Sequence, residues 1–160
     1  MMGERAADWP VERLKDIVEV RDALRQPVNS SERAARQGPY PYYGANGQAG
    51  TIDDFRYEGE HVLVAEDGGY FDDPARGVAY RVDGKFWVNN HAHVLRATPR
   101  ILARFLELQL NTLDWMQYVG GSTRLKLTQA SLNEIPLSVP PIDVQQRIVA
   151  KLDALLNTQP

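Results

Sequence analysis

The chain predicts an α+β fold: a small, twisted, mostly antiparallel sheet with flanking helices, followed by a C-terminal helix. Short apolar runs punctuated by turn signals fill residues 51–96, the texture of strands. Thr98-Pro99 and Pro140-Pro141 each precede apolar residues at helical spacing, which is how helices open. With 160 residues, 43% of them hydrophobic, there is enough material to bury one core.

In order along the chain, Trp9, Val11, Leu14, Ile17 and Val18 suit an opening segment anchored on that core, and the stretch from Val20 to Gly38 is polar with little periodicity. Tyr40-Pro-Tyr-Tyr-Gly-Ala-Asn-Gly-Gln-Ala-Gly50 reads as a surface loop that touches another molecule. Its glycines allow sharp turning and close approach, and its tyrosines offer flat faces and hydroxyls. His61–Ala65 is an apolar run ending at Asp67-Gly-Gly69. Val78–Val82 and Lys85–Val88 flank Asp83-Gly84, a two-residue hairpin signal. Ala92, Val94 and Arg96 alternate with His91, His93 and Leu95 as one more strand. Apolar residues at 101, 102, 105, 106, 108, 113, 115 and 116 predict a helix running from Thr98-Pro99 to Gly120-Gly121. After the polar turn Gly120–Leu127, a short helix is expected at Thr128–Asn133, and the prolines keep Ile135–Val139 extended. The last helix, Ile142–Leu156, carries Ile142, Val149, Leu152 and Leu156 as a stripe, with Gln145 polar on the same line. That stripe needs a surface to pack on, either its own domain or another helix. The expected organisation is therefore a globular unit over 1–140 and a terminal helix over 141–160.

The net charge of −3 argues against a strong non-specific polyanion binder, but the charge is uneven. Residues 51–75 hold eight acids against one base, and residues 76–130 hold eight bases against three acids. The first residues are charged and no apolar stretch is long enough to span a bilayer, so a cytoplasmic protein without membrane attachment is expected.

Catalytic patterns are absent from the sequence. There is no cysteine for a thiolate metal site or nucleophile, and Gly-Ala-Asn-Gly-Gln-Ala-Gly is neither a dinucleotide fingerprint nor a phosphate loop. A base-modifying methyltransferase would also need a glycine-rich cofactor turn and an Asn/Asp-Pro-Pro-aromatic segment. His91-Ala-His93, with His61 or Asp67, offers zinc-type ligands, yet such a pair in a strand more often makes hydrogen bonds. The reading is a non-catalytic chain with no cofactor and no metal.

Sequence-specific DNA binding needs amides and guanidinium groups held at base edges, with small residues beside the phosphates. Four segments supply these: residues 41–48, 66–70, 88–93 and 120–126. They nominate Tyr42, Tyr43, Asn46, Gln48, Asp67, Asn89, Asn90, His91, Ser122, Thr123, Arg124 and Lys126 as DNA-binding candidates. Each segment has an ordinary structural explanation as well: Asn89-Asn90 as a turn, Arg124 as a surface charge.

Seven pieces, in this order, resemble the DNA specificity domain of type I restriction-modification enzymes: Trp-Pro-Val-x-x-Leu-x-Asp-Ile at 9–17, Gly-x-Tyr-Pro-Tyr-Tyr-Gly-Ala-Asn-Gly at 38–47, Asp67-Gly68, Phe-Trp-Val-Asn-Asn-His-Ala-His-Val-Leu at 86–95, Gly-Ser-Thr-Arg-Leu-Lys-Leu at 121–127, Ile-Pro-Leu-Ser-Val-Pro-Pro at 135–141, and Gln-x-Arg-Ile-Val-Ala-Lys-Leu-Asp at 145–153. The resemblance implies a target recognition domain over 1–140 and the start of a conserved spacer helix over 141–160. It implies double-stranded DNA as ligand, with separate methyltransferase and restriction subunits doing the chemistry. It also suggests a homodimer through Ile142, Val149, Leu152 and Leu156. Family members normally carry two recognition domains and a longer spacer. A half-size subunit and a fragment of a longer one both fit, and so does an interaction module that keeps the fold without reading DNA.

Overall fold

The computed structural model describes residues 8–157; residues 1–7 and 158–160, the extreme ends of the two expected units, lie outside the described residues. The strands are β1 (Val11–Arg13), β2 (Val18–Val20), β3 (Tyr40–Gly44), β4 (Gly47–Ile52), β5 (Tyr57–Glu58), β6 (His61–Ala65), β7 (Ala79–Val82), β8 (Lys85–Val88), β9 (Ala92–Ala97) and β10 (Pro136–Ser138). The helices are α1 (Ser30–Ala34), α2 (Ala103–Leu110), α3 (Gln129–Asn133) and α4 (Ile142–Asn157). No helix among them is long and apolar enough to cross a membrane.

The strands form two four-stranded sheets and a ribbon. The first sheet, β2-β9-β6-β7, is antiparallel throughout; the second, β4-β3-β8-β5, contains one parallel pair, β3 with β8; and β1 pairs with β10. The α+β class with mostly antiparallel strands is thus what the sequence led one to expect, divided over more than one sheet.

The first sheet is the middle layer. Val62, Val64 and Leu95 face a core shared with Leu106, Leu110, Trp115, Leu127 and Leu132. Leu63 and Val94, pointing the other way, join Tyr57, Phe86 and Val88 of the second sheet. Every residue of β6 is buried, because successive side chains leave opposite faces of a strand and here both faces are covered. The same holds for β9 from Ala92 to Leu95, so the polar-apolar alternation expected there does not occur.

Three other expectations are corrected. Residues 40–50 form the β3-β4 hairpin with Ala45-Asn46 at its tip, not a loop, because aromatic residues favour strands and the glycines are tolerated where neighbours press close. A Cβ on Gly44 would come within 3.0 Å of Asn89 Nδ2. Asp83-Gly84 does turn the chain, with Gly84 at φ +81°, but the flanking strands do not pair with each other. β7 pairs with β6 and β8 with β3 and β5, so the turn carries the chain from one sheet to the other. Finally, α2 occupies only Ala103–Leu110 of the long helix expected. Its neighbours on both sides are drawn to distant partners: the Leu102 amide donates to Gln145 Oε1 at 2.9 Å, and Asn111 Oδ1 accepts from the amides of Val78 and Ala79. Trp115 then sits buried in a 3-10 turn, its indole donating to Leu110 O at 2.7 Å.

The polar stretch after Val20 contains α1, with Asn29 Oδ1 accepting from the Glu32 amide as its N-cap. Thr128 caps α3 in the same way, where a helix was expected. α4 packs against α2, and Arg104 ties the two with an ion pair to Asp153 at 2.7 Å. The apolar stripe of α4 divides. Val149 packs on the main core, Ile142 is half-buried, and Leu152, Leu155 and Leu156 are exposed. Gln145, the polar residue on that stripe, is fully buried inside its own domain, one of the two surfaces the stripe could pack on.

Candidate nucleic-acid interface

All four polar segments converge on one cleft of about 350 Å³. The tip of the β3-β4 hairpin, residues 44–49, forms one wall. Asp67 and Gly68 form another, and Asn89, His91 and Arg124 complete the lining. The convergence has a physical cause, because the segments are hydrogen-bonded to one another. Asn46 Nδ2 donates to Gly68 O at 3.0 Å, and the Asn89 amide donates to Tyr43 O at 3.0 Å. The Glu66 amide donates to His91 O at 2.9 Å, and the Leu127 amide donates to Glu66 O at 2.6 Å. Buried backbone groups need partners, and loops that satisfy one another's are held together without a continuous sheet.

Asp67 lies at the junction. Its Oδ1 accepts from His91 Nδ1 at 2.5 Å and from the Arg124 guanidinium at 3.3 Å. Arg124 remains mostly exposed, with 62% of its side chain open to solvent. A second depression of about 300 Å³ adjoins the cleft, shares Gly68 and Arg124 with it, and adds Thr123.

Of the other candidates, all but Gln48 lie elsewhere. Tyr42 is a correction: it is buried, its hydroxyl accepts from the Val28 amide at 2.8 Å, and Arg33 covers its ring at 4.3 Å. Tyr43 packs on Tyr80 and Phe86 with ring centroids 5.9 and 5.7 Å away, and burial raises its phenol pKa. Asn90 and Ser122 are exposed outside the cleft lining, and Lys126 reaches back toward Glu66 at 3.9 Å. Gln48 lines the cleft while donating to Gly50 O at 3.1 Å. Ala45 and Ala49 also line it and were not singled out from the sequence. Their only signal was membership of the glycine-rich run.

The acidic and basic halves of the sequence meet in space. Arg81 pairs with Glu60, Arg124 with Asp67 and Lys126 with Glu66, so the basic half presents less free positive charge than its composition suggests.

The two histidines of His91-Ala-His93 do not share a site. His93 is fully buried, with Nδ1 2.7 Å from Asp22 Oδ2 and Nε2 donating to Leu127 O at 2.7 Å. Asp22, Glu66 and His93 bring their ligand atoms within 4.8 Å of one another. Arg25, donating to Glu66 Oε1 at 3.0 Å, supplies the positive charge there, so the group is built as a closed ion-pair cluster. Burial pushes the Asp22 carboxyl up. Hydrogen bonds from His93 and the Val94 amide, with the charges of His93 and Arg25, outweigh that and hold it below the usual aspartate range.

The family model for the type I restriction modification DNA specificity domain matches residues 6–159. The chain belongs to that family. It is 39% identical over 145 residues to a type I restriction enzyme specificity subunit of Haemophilus influenzae, covering 89% of this chain and 36% of that protein. It is 31% identical over 133 residues to the EcoprrI specificity subunit of Escherichia coli, covering 81% of this chain and 32% of that one. The chain thus spans about a third of the length of these relatives. The fold matches the crystal structure of the S subunit of the type I system from M. genitalium with a TM-score of 0.70 at 16% identity, over 92% of this chain and 38% of that one. It matches the HsdS subunit of Thermoanaerobacter tengcongensis with a TM-score of 0.60 at 16% identity, over 98% of this chain and 40% of that one. The specificity-domain resemblance read from the motifs is therefore confirmed at family level.

Proposed function

We propose that the chain is the DNA-sequence recognition module of a type I restriction-modification system, non-catalytic itself. It reads one part of a duplex target through the cleft lined by residues 44–49, 67, 68, 89, 91 and 124 while methyltransferase and restriction subunits act on the DNA. The single observation supporting this is the convergence of four segments, distant in sequence, on one concave surface carrying amides, an imidazole and a guanidinium. These are the groups that read base edges. Arg124 is the groove donor, and Thr123 beside it suits a phosphate oxygen. In this reading residues 1–140 are the recognition unit and 141–160 the partner helix, and the protein works in the cytoplasm beside the DNA it scans. Leu152, Leu155 and Leu156, exposed at the end of α4, supply the apolar face for a second helix, a copy of this chain being one such partner. The net charge of −3 fits a module that draws much of its DNA affinity from the subunits it docks to.

The test is fluorescence anisotropy of the chain assembled with its methyltransferase on target and non-target duplexes. Arg124→Ala should lose about 1–3 kcal/mol of discrimination. Full discrimination in the variant removes Arg124 from the site, and a wild-type assembly that does not discriminate removes the reading.

A further inference from the structure

Asp67 does more than line the cleft. A carboxylate can only accept hydrogen bonds, so at 2.5 Å from Asp67 Oδ1 the His91 ring carries its proton on Nδ1. Nε2 then keeps its lone pair, and among the described residues no hydrogen bond is made to it. The ring is 40% exposed in the cleft, and its backbone is braced on both sides: Asn89 Oδ1 accepts from the His91 amide at 2.8 Å, and His91 O accepts from the Glu66 amide. The same carboxylate oxygen holds one terminal nitrogen of Arg124, whose remaining donors are open to solvent. The side-chain amides of Asn46, Gln48 and Asn89 each spend one bond on the backbone, to Gly68 O, Gly50 O and the His91 amide, yet each keeps both a donor and an acceptor to offer. His91 and Arg124, both held by Asp67, have defined polarity: one acceptor beside one donor fork.

We infer that Asp67 is a positioning residue that fixes His91 as a hydrogen-bond acceptor, so that His91 reads the exocyclic amino group of one adenine or cytosine while Arg124 donates to an acceptor edge beside it. In the major groove the hydrogen-bond donors are the amino groups at N6 of adenine and N4 of cytosine, and these are what an unprotonated imidazole nitrogen can recognise. The inference rests on the DNA-reading proposal above and adds to it the chemistry of one read position. It also accounts for an acid in a DNA cleft. Asp67, only 17% exposed, contributes through the two side chains it orients rather than by touching the DNA.

Two measurements test this. Long-range nitrogen-15 NMR of the free 160-residue chain at neutral pH should show His91 protonated on Nδ1 and unprotonated on Nε2, with the preference relaxed in Asp67→Asn; a proton on Nε2 in the wild type overturns the inference. Selection from a randomised duplex library then gives the preferred target. Analogues lacking the exocyclic amine, purine for adenine and 2-pyrimidinone for cytosine, replace each selected base in turn. At one position the analogue should cost the wild type about tenfold in affinity and cost His91→Phe nothing further, and the base at that position tells adenine from cytosine. Equal losses in wild type and variant at every position overturn the role of His91 while leaving the DNA-reading proposal intact. A library that enriches no sequence overturns both. Thermal melts of each variant separate lost folding from lost reading.

Discussion

Replacing Gln145 with methionine keeps the volume of the side chain and removes all its hydrogen bonds. Gln145 is fully buried, its Oε1 accepting from the Leu102 amide at 2.9 Å and its Nε2 donating to Arg100 O at 3.0 Å and Pro140 O at 2.8 Å. One side chain thus joins the start of α2 to the start of α4, and with it the body of the domain to its terminal helix. Each buried backbone group left without a partner costs about 1–3 kcal/mol. The bond to Pro140 is buried and the other two are half-buried, so water recovers part of the loss and the net destabilisation is about 3–4 kcal/mol. That is a large share of the ~5–15 kcal/mol that holds a typical domain together. In urea, with a slope of about 2 kcal/mol per molar, the midpoint should fall by about 1.5–2 M. Gln145→Glu keeps the acceptor for Leu102 but sets a carboxylate against two carbonyls, so it should be at least as damaging at neutral pH. A methionine variant whose midpoint lies within about 0.3 M of wild type would show that Gln145 is a spectator, and that the terminal helix is set by its apolar side chains alone.

Other outcomes follow from the same packing. His61 is buried, its Nε2 accepting from Arg21 at 2.9 Å and its Nδ1 donating to Gly59 O. Burial, with Arg21 adding to it, lowers its pKa, so the unfolded chain takes up a proton more readily than the folded one. Stability should therefore fall as pH drops below about 6.5, and a His61→Gln variant should flatten that slope in denaturation curves recorded across the range. Tyr42→Phe leaves the buried Val28 amide without its acceptor and should cost about 1–3 kcal/mol in urea melts while leaving DNA discrimination unchanged; lost discrimination would return Tyr42 to the site. Gly121 sits at φ +99°, and a Cβ there would lie 2.4 Å from Arg124 O. Gly121→Ala should therefore disrupt the loop that presents Arg124, lowering DNA affinity and costing roughly 1–2 kcal/mol, read by anisotropy and thermal melting.

The amino-acid order by itself determined whatever depends on neighbours in sequence. The short helix at Thr128–Asn133, the extended Ile135–Val139 segment, the turn at Asp83-Gly84 and the start of α4 after Pro140-Pro141 are local choices of dihedral and hydrogen bond, and all stand in the structure. The four polar segments were legible one by one as well, because glycines next to amides and charges are a local signal, whereas their meeting at one cleft was not. Tertiary structure decided the rest. Periodicity could not show that α2 stops at Leu110, since Asn111 leaves the helix to serve amides more than thirty residues earlier in the chain. It could not tell Tyr42, whose hydroxyl is spent on Val28, from Asn46 at the open tip of the same hairpin. Nor could it foresee that Arg124 and His91 would share Asp67. A polar side chain can turn inward to satisfy a buried group or outward to meet a ligand, and that choice depends on which distant backbone groups packing leaves without water.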